Sequence, residues 1–103
     1  MTNKRGSFDD KCYAIISKIP KGKVMTYKGV AEKLNSKAYR AVGNAMNRNL
    51  NAPVVPCHRV VESNGKIGGY AYGAERKIRI LGEEGVEIVK GKIDLEKYLF
   101  QWK

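Results

Sequence analysis

The chain has 103 residues, enough for one domain around one modest core and not for two. Its 43% hydrophobic and 29% charged residues describe a folded protein, and no apolar run approaches the roughly 18 residues a membrane-spanning helix needs. Twenty Lys and Arg stand against ten Asp and Glu, a formal charge of +10 that points to a polyanionic partner, nucleic acid before an anionic membrane surface.

The N-terminal "MTNKRGSFDD" is basic but has no apolar segment behind it, so it does not read as a secretory signal. Ser7 can cap a first helix, with Asp10 completing a capping-box pattern. Phe8, Cys12, Ile15, Ile16 and Ile19 recur at helical spacing, and Pro20 and Gly22 stop the helix. Cys12 falls on the buried stripe and reads as a small core residue. Thr26 can cap a second helix with Val30, Ala31 and Leu34 inward. After a turn at Asn35 and Ser36, Ser36 can cap a third helix whose apolar side is Ala38, Ala41, Val42, Ala45 and Met46. Two short helices across such a turn form a helix-turn-helix pattern. The outer face of the third helix carries Lys37, Arg40, Asn44 and Asn47, with Arg48 close by, residue types that contact phosphates and base edges.

Residues 49–56 include Pro53 and Pro56 and are expected as loop, with "VVPCHRVV" at 54–61 a buried extended segment. "SNGK" at 63–66 is a hairpin-type turn, and "GGYAYG" at 68–73 a glycine-permitted loop. A helix is expected from about Ala74 to Glu84 with Ile78 and Leu81 inward, ended by Gly85. "VEIV" alternates as a short strand, and the tail "LEKYLFQW" is amphipathic enough to dock on the core.

Two distant cysteines and one histidine do not supply a four-ligand zinc pattern, and no phosphate-binding or dinucleotide glycine motif occurs, so no metal or cofactor is expected. The chemistry on offer is a thiol, Cys57, beside a possible base, His58, with Arg59 next. Neighbouring side chains on a regular strand point to opposite faces, so a direct Cys57–His58 bond needs a kink near Pro56 or a bridging water. The spacing alone leaves a reactive thiol and a buried structural one both open. Without a secretory signal the thiols are expected to be reduced and the protein cytoplasmic, at the nucleoid of a prokaryote or in the nucleus of a eukaryote.

"RAVGNAMNRN" followed by "PCHRVV" and "GGYAYG" closely resembles the C-terminal domain of O6-alkylguanine-DNA alkyltransferases, over Phe8 to about Gly85. The Tyr of "TYKGVAEKL" and the Glu of "LGEEG" fall in register. The expected fold is mainly α, a winged-helix-like DNA-binding domain with a helix-turn-helix and a short β hairpin or extended active-site segment. It spans residues 1–103 as one unit, without the N-terminal domain family members commonly carry. The resemblance implies Cys57 as alkyl acceptor and His58, through a water, as base. It implies Glu84 as orienter of the imidazole and Asn49 as the bond to the active-site turn. Tyr27 would press on the target phosphate and protonate the leaving base. Arg40 would enter the duplex from the minor groove and fill the gap left by a flipped guanine. Lys28, Asn47 and Ser63 would touch the DNA backbone. Met46, Val60, Tyr70 and Tyr72 would line the base pocket, the bulk of Tyr72 favouring methyl over benzyl adducts.

The implied partner is double-stranded DNA containing O6-alkylguanine, with no membrane, and the protein is expected to be a monomer acting once. A second reading is an alkyltransferase-like lesion sensor; such proteins are equally short but carry tryptophan at the cysteine position. A Cys-His-Glu hydrolase and a plain helix-turn-helix regulator stand further off, the first against the +10 charge.

Overall fold

The computed structural model describes residues 7–49, 54–70 and 72–101. The expected loop at 50–53 and the end of the tail at Trp102 lie outside the described residues. Among those described, no helix is long and apolar enough to cross a membrane.

The first helix, α1 (Phe8–Ile16), starts where Ser7 Oγ accepts from the Asp10 N–H at 3.1 Å, with Asp9 and Asp10 at the positive end of the helix dipole. It buries Cys12 and Ile16, as the periodicity predicts. The Tyr13 hydroxyl donates to the Ala45 carbonyl at 2.7 Å and ties α1 to the third helix. A two-residue strand, β1 (Met25–Thr26), runs straight into α2 (Tyr27–Lys33), whose N-cap is the Thr26 hydroxyl accepting from Gly29 N–H at 2.9 Å. Asn35 takes the left-handed conformation (φ 58°) in the turn before α3 (Tyr39–Asn47). Val42, Ala45 and Met46 face inward from α3 against α1 and α2. The helix starts later than the sequence suggests. Ser36 Oγ bonds the Ala38 N–H at 2.9 Å, which holds a local turn in place of a helical cap and leaves Ala38 exposed.

The segment 54–61 is not extended. It forms a 3₁₀ turn (Cys57–Arg59) and then β2 (Val60–Val61). The only named sheet among the described residues is parallel, pairing Met25 with Val60 and Thr26 with Val61. Alternation across these strands explains the core's two halves. Met25 and Val60 join a cluster with Cys12, Ile16, Val42, Met46 and Cys57, whereas Val24 and Val61 join one with Leu81, Val86, Ile93 and Tyr98.

The expected hairpin at 63–66 is a turn only: Glu62 N–H bonds the Lys66 carbonyl at 2.9 Å, with Gly65 at φ 90°. A tighter one lies at Val89–Lys92, where Lys90 and Gly91 both have positive φ and the flanking residues exchange two bonds. "VEIV" contributes just that bridge. The helix α4 (Ala74–Glu83) buries Leu81, but Ile78 is 39% exposed and Lys77 takes the inward place. The tail docks through α5 (Leu95–Tyr98), Val24 N–H bonding the Tyr98 carbonyl and Phe100 N–H the Val24 carbonyl.

Candidate active site and DNA interface

Pro56 sits in an inverse γ-turn, one of the two alternatives the sequence left open. Pro56 has φ −82° and ψ 64°, and Cys57 N–H reaches back to the Val55 carbonyl at 2.8 Å. The same carbonyl accepts from Asn49 Nδ2 at 2.8 Å. Asn49, itself buried, therefore bonds the turn that presents Cys57. Arg59 N–H then bonds the Pro56 carbonyl at 2.9 Å and closes the 3₁₀ turn.

Cys57 is 2% exposed and His58 1%. His58 Nε2 lies 3.0 Å from Glu84 Oε2 at the end of α4. Arg59 approaches the same carboxylate with Nε at 2.9 Å and Nη2 at 2.7 Å, and donates from Nη1 to the Ile19 carbonyl at 2.7 Å. One guanidinium thus locks the segment after α1, the 3₁₀ turn and Glu84 together. His58 Nδ1 is buried and has no hydrogen-bond partner among the described residues, so the ring makes no direct bond to Cys57.

Burial pushes the Cys57 thiol up, against the lowering effects of Asn49 and the Lys77 charge, and the balance is raised. Burial also pushes His58 down, outweighing the pull of Glu84 upward. Glu84 is raised by burial but held below the ordinary carboxylate value by the bonds from Arg59 and His58. The resting site is a thiol, a neutral imidazole and a carboxylate. The competition between burial and neighbouring charge, open from sequence, goes to burial.

Tyr27 is half-buried, its hydroxyl 3.4 Å from the Gly69 carbonyl. Burial pushes its pKa up to about 12, so it stays a hydrogen-bond donor at neutral pH. Gly68 has φ 75°, and a Cβ there would come within 2.9 Å of the Tyr27 hydroxyl, so glycine is required twice over. A groove of about 450 Å³ runs past Tyr27 and Lys28 of α2, Tyr39 and Arg40 of α3, and Ser63 and Asn64 of the turn. Four of the five residues expected against DNA line it; Asn47, exposed at the far end of α3, does not. Arg48 is paired with Asp9 at 2.7 Å. Met46, Val60 and Tyr70 pack in the cluster that holds Cys57. Tyr72 is 46% exposed and reaches that cluster by its edge-on contact with Tyr70, ring centroids 5.6 Å apart.

Sequence reasoning missed Arg59 as scaffold and Lys77 entirely. Lys77 is 0% exposed; its ammonium donates to the Val60 carbonyl at 2.7 Å and the Gly69 carbonyl at 2.9 Å. Its position four residues before buried Leu81 was the available signal. No cluster of three or more metal-binding side chains occurs among the described residues.

The family described as 6-O-methylguanine DNA methyltransferase, DNA binding domain, matches residues 7–86. The chain belongs to this family. A bifunctional methyltransferase/endonuclease of Picrophilus torridus is 43% identical over 89 residues, covering 85% of this chain and 30% of the relative. A methylated-DNA–protein-cysteine methyltransferase of Saccharolobus islandicus is 49% identical over 73 residues, covering 71% and 47%. The chain therefore spans less than half the length of these two curated relatives. The crystal structure of S. pombe Atl1 in complex with damaged DNA containing O6-carboxymethylguanine superposes with a TM-score of 0.83 at 34% identity, covering 98% of this chain and 99% of that one. Family membership and this likeness agree with the mainly helical DNA-binding architecture expected.

Proposed function

We propose that this protein binds duplex DNA over the Tyr27–Arg40–Ser63 groove, takes up a flipped O6-alkylguanine and transfers its alkyl group to Cys57. The observation that carries the reading is the buried Cys57 beside a neutral His58 whose Nε2 is held by Glu84 and whose Nδ1 remains open to a proton. This is the nucleophile, base and orienter logic of covalent catalysis.

The step balances as a displacement at the alkyl carbon. The Cys57 proton passes to His58 Nδ1 through a water, the S–C bond forms, and the C–O6 bond breaks. The leaving guanine takes the Tyr27 hydroxyl proton, solvent refills Tyr27 as His58 returns the thiol proton to solvent, and the net products are the Cys57 thioether and neutral guanine. The thioether stays on Cys57, so each molecule acts once and needs no cofactor. Arg40, exposed at the start of α3, fills the space the guanine leaves. Lys28 and Ser63 hold the backbone on either side of Tyr27, with Asn47 further along α3. Met46, Val60 and Tyr70 border the base, and Tyr72 backs Tyr70 to favour small alkyl groups.

A second reading, lesion binding without transfer, is favoured by the nearly end-to-end likeness to Atl1. Against it stands a cysteine at position 57, held in an ordered turn. The test follows the DNA: single-turnover incubation with a duplex bearing one O6-methylguanine, then nucleoside analysis. Restoration of guanine supports transfer; tight binding with the lesion intact moves the protein to the sensor class.

A further inference from the structure

No fully buried side chain among the described residues is larger than that of Lys77. A buried ammonium is costly unless its protons are satisfied, and an apolar side chain of similar volume would pack there with less penalty. Its two short bonds, at 2.7 and 2.9 Å, join the start of β2 to the segment that leads into Tyr70. Val60 opens β2, three residues after Cys57. Gly69 precedes Tyr70, in a segment without regular secondary structure that packs on the Cys57 cluster. The Tyr27 ring lies over the same ammonium, its centroid 5.8 Å from Nζ.

We infer that Lys77 is a cationic clamp that closes the Tyr70 loop onto the Cys57 segment, and so a positioning residue for alkyl transfer. This rests on the transfer reading above. The clamp holds the wall of the base pocket through Gly69 and the floor through Val60. It also sets a positive charge near the thiol without touching it.

The titratable and charged groups facing Lys77 are Cys57 and His58 of the 3₁₀ turn, Glu62 beyond β2 and Tyr27 of α2. Burial brings its pKa down to about 8, against the raising effects of Cys57 and Glu62. The neutral amine keeps two N–H donors, but each bond loses its charge assistance, roughly half its strength. The clamp therefore loosens as pH rises through that value. A reaction limited by thiolate alone would speed up over the same range.

The test uses the whole chain. In wild type without DNA, the amide signals of Gly69 and Tyr70 are followed by NMR from about pH 6.5 to 9.5. The expected result is a common midpoint near the Lys77 value, absent in Lys77→Met. In single-turnover transfer from an O6-methylguanine duplex, Lys77→Met slows by about tenfold or more, with duplex Kd unchanged within about threefold. The wild-type rate flattens or falls above the midpoint, whereas the variant's rate climbs. Gly69 and Tyr70 that do not titrate, or a variant with the wild-type rate and profile, overturn the clamp. If the variant does not fold, the wild-type rate profile decides, a steady climb through the midpoint overturning the inference. A wild type that titrates at Gly69 yet transfers nothing overturns the transfer reading and leaves the clamp standing.

Discussion

Glu84→Gln is the perturbation whose consequences the geometry fixes most closely. The carboxylate takes three donors: His58 Nε2 at 3.0 Å, Arg59 Nε at 2.9 Å and Arg59 Nη2 at 2.7 Å. Glutamine has the same shape but replaces one acceptor oxygen by an NH₂, which must face one of those donors. At least one charge-assisted bond is lost, worth about 1.5–3 kcal/mol, and Arg59 loses its countercharge. Glu84 and Arg59 side chains are 9% and 13% exposed, so solvent screens the loss little. Breaking such a pair costs about 3–5 kcal/mol when fully buried; since Arg59 keeps the Ile19 carbonyl, about 3 kcal/mol is expected here. For a domain of this size that lowers Tm by about 12–24 °C. Urea unfolding at neutral pH reads it directly. The sign with pH is also fixed. Glu84 is held below its ordinary value in the fold, so its stabilisation is present above the unfolded carboxylate pKa and is lost as pH falls through the lower folded value. The acid limb of wild-type stability should be steeper than that of Glu84→Gln. Transfer should slow by about 10²-fold or more, because the imidazole loses its orienter. An unchanged urea midpoint with the wild-type acid limb would refute this reasoning.

Asn49→Ala removes the bond to the Val55 carbonyl and the group that holds the thiol pKa down, so Cys57 should alkylate more slowly with iodoacetamide and require higher pH. Gly68→Ala must move Tyr27 or strain a backbone at φ 75°, so transfer should fall more than duplex affinity does. Arg40→Ala should weaken lesion-duplex binding and reduce the enhancement of 2-aminopurine fluorescence next to the lesion, while Lys28→Ala should lower the salt slope of binding by about one. Arg48→Ala, which breaks an exposed pair with Asp9, should leave the thermal unfolding midpoint almost unchanged.

The features legible in the sequence are those decided within one or two turns of chain. Ser7 and Thr26 cap because their hydroxyls face their own helix starts, and Cys12, Val42 and Met46 are buried because their spacing matches the helical period. The resemblance brought Cys57, His58, Glu84 and Asn49 into one reading, and the chain brings the same four into one hydrogen-bonded locality. What escaped depends on distant partners. Arg59 matters through Glu84 and Ile19, 25 and 40 residues away. Lys77 is inward because two carbonyls from other segments await it; its spacing from Leu81 marked the position, but nothing local shows why a lysine should fill it. The extended reading of 54–61 failed because Pro56 and the Asn49 side chain make a turn that apolar alternation does not announce.

The central claim is that the alkyl group ends on one sulfur. Intact-protein mass spectrometry after incubation with an O6-methylguanine duplex, followed by peptide mapping, tests it most directly. A gain of one methyl located on Cys57, absent in Cys57→Ala and absent with undamaged duplex, is the predicted result. An unmodified Cys57 in protein that holds the lesion duplex tightly would contradict it.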